Sequence, residues 1–261
     1  MVQTVSPAGN INLLKAKILR GETVVGLSCA LGSAQIAEEF ALAEFDYIYI
    51  DQQHGLTSQD TMIEMLRAIA RSSTTPLVRV AQNNAGLIGQ ALDAGAEGII
   101  VPMVNNAAEA QLAVAACRYF PQGRRSWGPI RAKYGLGTDP AAVNREVLCL
   151  VMIETSEALA NVDEIVQTPG VDGIYLGPAD LGISLGFPPL AFEQTTDERQ
   201  LAAIERIRLA CVRADRVIGT SGDPRSMRAA GFGMVTAAMD AMLIRSAVAK
   251  IDRLDAVLAG S

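Results

Sequence analysis

Val171-Asp172-Gly173-Ile174-Tyr175-Leu176-Gly177-Pro178-Ala179-Asp180-Leu181 is the stretch on which the reading of the chain turns. Gly173 to Leu176 is a short apolar run suited to a buried strand, and it breaks at Gly177-Pro178. Glycine permits a close or unusual turn there, while proline fixes one dihedral and removes a donor. A carboxylate, Asp180, follows the break. The amides of Ala179 and Asp180 are left without an obvious strand partner. A rigid turn with free amides and an acid suits an anion next to a metal ion. The same stretch also reads as an ordinary strand-to-helix turn with Asp180 as N-cap.

Outward from this unit the same alternation runs along the whole chain. Strands are expected at Thr23–Cys29, Tyr47–Asp51, Leu77–Val80, Gly98–Pro102, Val147–Ile153, Gly173–Leu176, Val217–Gly219 and Phe232–Thr236. Helices are expected at Ser33–Ala43, Ser58–Ala70, Ala85–Ala94, Ala107–Cys117, Ser156–Ile165, Asp197–Arg213, Pro224–Ala230 and Asp240–Leu258. Ser58 suits an N-cap, and Gly95 suits a C-terminal glycine. The strands are continuous apolar runs, as expected when both faces are buried. Eight such units without a composition break predict one α/β domain over residues 1–261, a (β/α)₈ TIM barrel. A doubly wound open sheet would need a glycine-rich nucleotide turn after the first strand, and Gly26-Leu27-Ser28-Cys29-Ala30-Leu31-Gly32 does not supply one. Arg118–Asn144 interrupts the rhythm. A connection that long, holding Arg124-Arg125-Ser126-Trp127-Gly128-Pro129-Ile130-Arg131, points to function.

Composition narrows the function classes. The 261 residues carry a net charge of -6, so there is no basic footprint for nucleic acid. No apolar run has the length of a membrane span, and Met1 to Asn10 lacks a signal-peptide layout. Cys29, Cys117, Cys149 and Cys211 have neither metal-ligand nor redox spacing. They read as core thiols of a cytoplasmic protein. His54 is the single histidine, so any imidazole chemistry must use it.

In such a barrel the chemistry collects where the strands end. That rule puts His54, Arg79, Glu154 and Asp180 on one rim. Each has a plainer account: a hydrogen-bonded imidazole, an ion pair, a helix-opening acid or an N-cap. The two carboxylates, Glu154 and Asp180, form a hard-oxygen site suited to Mg²⁺ or Mn²⁺, with Co²⁺ as a further candidate. Arg79 can stabilise an oxyanion, and His54 can act as general base. This set fits enolate chemistry on a small 2-oxo acid.

Ile50-Asp51-Gln52-Gln53-His54-Gly55, Val101-Pro102-Met103-Val104, Ile153-Glu154-Thr155 and Gly177-Pro178-Ala179-Asp180-Leu181 resemble the motifs of the HpcH/HpaI class II pyruvate aldolases. The likeness runs from Gly26-Leu27 to Asp240. It implies a divalent ion on Glu154 and Asp180, and a pyruvate or hydroxypyruvate bound by the Ala179 and Asp180 amides. Gly177, Pro178 and Met152 would border that substrate. Arg79 would hold the developing enolate, and His54 would be the base, acting through a metal-bound water. An aspartate matching Asp93 supports that base in the family. From its place before the fourth strand, Asp93 could reach a site only across a subunit interface; it reads equally as a solvated helix-end acid.

Three departures bear on specificity. Relatives often have a glutamate where Gln53 stands, some a glutamine at Met152 and some a tryptophan at Ser28. The last change is expected to widen the pocket mouth. The reading is an aldolase joining or cleaving a 2-oxo acid and an aldehyde. The alternatives are a relative that uses oxaloacetate, as decarboxylase or citrate-forming synthase, and a non-catalytic 2-oxo-acid binder. A phosphate-sugar barrel would rest on Gly219-Thr220-Ser221-Gly222, which is too short to be specific. The resemblance implies a homo-oligomer, a hexamer built as a trimer of dimers. Met242, Leu243, Ala247, Ile251, Leu254 and Leu258 are spaced for one buried face of the closing helix, which could be exchanged with a neighbouring subunit.

Overall fold

The structure, a computed structural model, describes residues 10–251. In chain order its elements are α1 (Leu13–Leu19), β1 (Val24–Cys29), α2 (Ala34–Leu42), β2 (Tyr47–Asp51), α3 (Gln59–Ile69) and β3 (Thr75–Arg79). Then come α4 (Ala85–Asp93), β4 (Gly98–Val101), α5 (Ala107–Cys117), α6 (Pro140–Glu146), β5 (Leu148–Ile153), α7 (Ser156–Ala160) and α8 (Val162–Gln167). The remainder is β6 (Gly173–Leu176), α9 (Pro178–Ser184), α10 (Glu198–Arg213), β7 (Val217–Ser221), α11 (Pro224–Ala229), β8 (Met234–Met239) and α12 (Asp240–Val248). All eight strands are parallel, and β8 closes on β1. This is the expected barrel. Every strand therefore ends on the same rim, and residues that follow strand ends are gathered there.

Helix starts obey local chemistry. Ser33, Ser58, Asn84, Asn106, Thr155, Asp197 and Asp223 each accept a first-turn amide with the side chain. Each such cap is worth about 1 kcal/mol. The apolar residues divide into two sets. One lies between strands and helices, and includes Ile48, Ile50, Leu66, Ile99 and Val151. The other fills the barrel interior with Tyr47, Tyr49, Leu77, Leu150, Met152 and Tyr175. Within it runs a chain of hydroxyls, Tyr47 to Thr236 at 2.8 Å, Thr236 to Tyr175 at 2.7 Å and Tyr175 to Ser221 at 3.0 Å. Burial pushes the Tyr47 and Tyr175 phenols well above their ordinary range, so they stay protonated donors. Gly26 is required beside them, because a Cβ there would meet the Tyr47 ring at 2.5 Å.

Several boundaries differ from expectation. Pro76 lies inside β3 rather than ahead of it. The strand placed at Phe232–Thr236 runs instead over Met234–Met239, since Phe232 is needed in the core between strands and helices. The helix expected at Ser156–Ile165 is two helices meeting at Asn161. α1 and α6 were not expected. Asn12 and Asp139 nevertheless cap them, and Pro140 opens α6 at a position where its missing N–H costs nothing. Met242, Leu243 and Ile251 of the closing segment are exposed, so the expected face is not buried by this chain's described residues; Leu254 and Leu258 lie outside them. The cysteines are free and buried, as expected of core thiols.

Candidate active site

β5 delivers Glu154 to the rim almost fully buried, at 1% exposure. Its Oε1 accepts the Met103 amide at 2.7 Å. Met103 follows β4 and Pro102 with φ +56°, a left-handed conformation unusual for a side chain of its size. That conformation accompanies the aim of the amide at the carboxylate. The other oxygen, Oε2, is buried without any hydrogen-bond partner. Burial pushes the Glu154 carboxyl above the usual range, the Met103 amide draws it back, and the Asp180 charge adds to the rise. Glu154 and Asp180 therefore feel one another as like charges.

Asp180 stands in the first turn of α9, with Gly177 as N-cap residue and Pro178 opening the helix. The proline is thus the start of a helix rather than a free turn, and Asp180 is not the N-cap. The amides of Ala179 and Asp180 have no acceptor among the described residues, as expected for the first turn. Gly177 is necessary here. A Cβ on it would lie 2.6 Å from Glu154 Oε2 and 3.3 Å from Met152 Cε. Glu154, Met152, Gly177 and the start of α9 are thus one packed unit.

β2 and β3 supply the basic side. Arg79 donates from Nε and Nη2 to Asp51 Oδ1 and Oδ2 at 2.9 and 2.6 Å. Its guanidinium also lies 5.7 Å from the Tyr49 ring centroid. Burial opposes the Arg79 charge, but the hydrogen bonds to Asp51 outweigh it and hold the group above its ordinary value. Arg79 in turn stabilises the Glu154 carboxylate. Asp51 Oδ1 also accepts the amides of Gln53 and His54, at 3.0 and 3.3 Å. The His54 imidazole is exposed and makes no hydrogen bond among the described residues. Gln53 Oε1 is buried and unpartnered.

Asp93 is not brought to this group. It ends α4, ahead of β4, and so belongs to the opposite rim. The Arg125 guanidinium donates to Asp93 Oδ1 at 2.7 Å and rests 4.6 Å from the Tyr119 ring centroid. Arg125 of the Arg118–Asn144 connection thus holds Asp93. Ser28 is 2% exposed within β1, its hydroxyl 3.4 Å from the Ala238 carbonyl oxygen.

Sequence reasoning missed Asp51 and Asp240, although both stand at strand ends like the residues it chose. Asp240 is buried and accepts the Ala30 and Leu31 amides at 3.0 and 2.9 Å, pinning the loop after β1. Met103 stands in the Val101-Pro102-Met103-Val104 motif, but nothing in the sequence marked its amide as a partner of Glu154.

Two carboxylates, one of them with a buried unpaired oxygen, form a hard-oxygen donor pair that fits a divalent cation. Among the described residues no third His, Cys, Asp or Glu converges on it. Open positions would therefore fall to water or to a chelating substrate.

The profile of the HpcH/HpaI aldolase/citrate lyase family matches residues 25–247. The chain belongs to this family. A hydroxypyruvate/pyruvate aldolase of Rhizorhabdus wittichii is 41% identical over 221 residues, covering 82% of this chain and 87% of that protein. A 2-keto-3-deoxy-L-rhamnonate aldolase of Klebsiella pneumoniae is 34% identical over 241 residues, covering 91% and 90%. A crystal structure of a family member from Burkholderia cenocepacia superposes with a TM-score of 0.83 at 30% identity, covering 92% of this chain and 97% of the other. As a family member with aldolase relatives, the protein is an enzyme, a carbon–carbon lyase. No helix among the described residues is long and apolar enough to cross a membrane.

Proposed function

We propose that this HpcH/HpaI family enzyme is a divalent-metal-dependent aldolase that joins or cleaves a pyruvate or hydroxypyruvate unit and an aldehyde through an enolate. The observation that carries this reading is the buried, unpartnered Glu154 Oε2 beside the first turn of α9, where Asp180 stands. Glu154 and Asp180 would hold Mg²⁺, Mn²⁺ or Co²⁺. When bound, the ion would supply Lewis-acid polarisation of the substrate's keto group. The Ala179 and Asp180 amides, free of other acceptors, bind the substrate carboxylate. Met152 and the Gly177-Pro178 backbone wall the methyl side and exclude water. Arg79, fixed in direction by Asp51, places its remaining N–H groups toward the oxygen that becomes negative. His54, unencumbered by protein partners, takes the proton from the substrate carbon.

Asp93 supports His54 in this reading only from a neighbouring subunit, because it lies on the far rim of its own barrel. A homo-oligomer follows from that requirement. The exposed Met242, Leu243, Ile244 and Val248 of α12 are available for the contact.

The test is Mn²⁺ titration of the wild type and of Glu154→Gln and Asp180→Asn, followed by an aldehyde panel with pyruvate and hydroxypyruvate read by product mass. Metal affinity lost in both variants, together with new hydroxy-oxo acids from the wild type, is the expected result. Unchanged Mn²⁺ affinity in either variant contradicts the ligand assignment. Products from oxaloacetate alone would favour the decarboxylase or citrate-forming alternative.

A further inference from the structure

At the opposite end of the barrel lies a second concavity, of about 490 Å³, within the range of small-molecule sites. Lys15, Arg118, Arg145 and Asp172 supply its charged lining. It borders the starts of β5 and β6, whereas Glu154 and Asp180 follow their ends. The length of β5 separates the two places by roughly 17 Å, at ~3.3 Å per residue.

Its electrostatics are unbalanced. Asp172 is the only carboxylate in the lining. Asp172 Oδ1 lies 2.8 Å from Lys15 Nζ, while Oδ2 accepts from Arg118 Nη2 at 2.9 Å and from the Cys149 amide at 2.7 Å. That acid is fully engaged. Arg118 is only 4% exposed, and its Nη1 is buried with no hydrogen-bond partner. Arg145, in the last turn of α6, is exposed and makes no ion pair among the described residues. Three cations thus line the cavity against one carboxylate, an excess of two positive charges. A concave lining with that excess favours an anion that carries charge-assisted acceptors. Gly170 shapes the wall. At φ +92°, it lies so close to Val114 that a Cβ would approach Val114 Cγ1 to 2.5 Å.

We propose that this cavity binds a small oxyanion, the phosphate or carboxylate group of a metabolite, at a place separate from the reaction. Arg118 and Lys15 form its floor and Arg145 its outer clamp. The inference does not depend on the chemistry proposed for the opposite rim.

The experiment is isothermal titration with inorganic phosphate, and separately with a tricarboxylate, at constant ionic strength. Saturable binding is expected for at least one of them. It should weaken at least about tenfold in Arg145→Glu, an exposed position whose change leaves the core untouched, and also in Arg118→Lys, which keeps the charge but loses the planar fork. Binding should be unchanged in Arg79→Lys, which separates it from an anion held on the catalytic rim. No saturable binding of either anion would overturn the proposal. So would equal affinity in wild type and Arg145→Glu, or loss confined to Arg79→Lys.

Discussion

Asp51 and Arg79 are register partners on β2 and β3, joined by two hydrogen bonds of 2.9 and 2.6 Å across the strand ends. The same carboxylate holds the Gln53 and His54 amides. One buried acid therefore orients both the arginine and the loop that bears the only histidine. Removing it leaves a largely buried guanidinium without its partner. Asp51→Asn is expected to destabilise the protein by about 3–5 kcal/mol. Asp51→Asn combined with Arg79→Met should cost less than the sum of the single changes, because the pair is lost once. Denaturant unfolding of the four proteins measures this. Additive costs would mean that the two side chains do not act as a unit.

Arg79→Lys keeps the charge but cannot satisfy Asp51 and an enolate oxygen with one planar fork. Turnover is expected to fall at least tenfold, about 1.4 kcal/mol in the barrier, with KM for the 2-oxo acid changing less. Steady-state kinetics with the aldehyde identified by the product panel give the answer. A wild-type kcat would return Arg79 to a purely structural pair.

Gly177→Ala tests how tightly Glu154 is seated. The added methyl would lie 2.6 Å from Oε2, so the carboxylate must move. Mn²⁺ affinity should drop by at least about tenfold, with a modest loss of stability, about 1–3 kcal/mol for an overpacked site. Unchanged affinity, measured by titration, would show that Oε2 does not face the ion.

Glu97 makes stability pH-dependent. Burial first, and then the nearby Glu146 charge, push its carboxyl up to about 7. In the unfolded chain it titrates near 4.5. Between those values the folded protein holds a proton that the unfolded chain has released, so this contribution is greatest below about pH 4.5 and is lost as pH rises through 7. Glu97→Gln should flatten that part of the stability–pH curve and stabilise the protein at pH 8, by about 1–3 kcal/mol. Urea unfolding across the range checks it. An unchanged slope would show that Glu97 ionises freely in the fold.

The barrel was legible because its strands are continuous apolar runs and its helices carry their own caps. Tyr47–Asp51, Ala107–Cys117 and Gly173–Leu176 fall where the sequence placed them. The site was half legible by the same rule, since Glu154, Arg79 and Asp180 each stand where a strand stops. Asp51 obeys that rule too. Its importance rests on facing Arg79 across a strand pair, which is a tertiary relation that spacing along one chain does not contain. The conformation of Met103 was illegible for a different reason: nothing in a methionine after a proline announces a left-handed backbone.

The most direct test of the enolate account needs no aldehyde. Proton NMR should follow the methyl signal of pyruvate incubated with the metal-loaded enzyme in heavy water. Proton abstraction is the first half of any aldol addition through an enolate, and in the proposed reading it calls on His54, Arg79, Glu154 and Asp180 but not on Gln53 or Ser28. The methyl signal should decay through exchange, stop decaying with a chelator and resume with Mg²⁺ or Mn²⁺. Asp180→Ala and Glu154→Ala should each abolish it, and the double variant should be little worse than either, since the proposal has the two acids serve one ion. Exchange no faster than the metal-only background, in a folded and metal-loaded sample, would contradict the account and leave a 2-oxo-acid binder in its place.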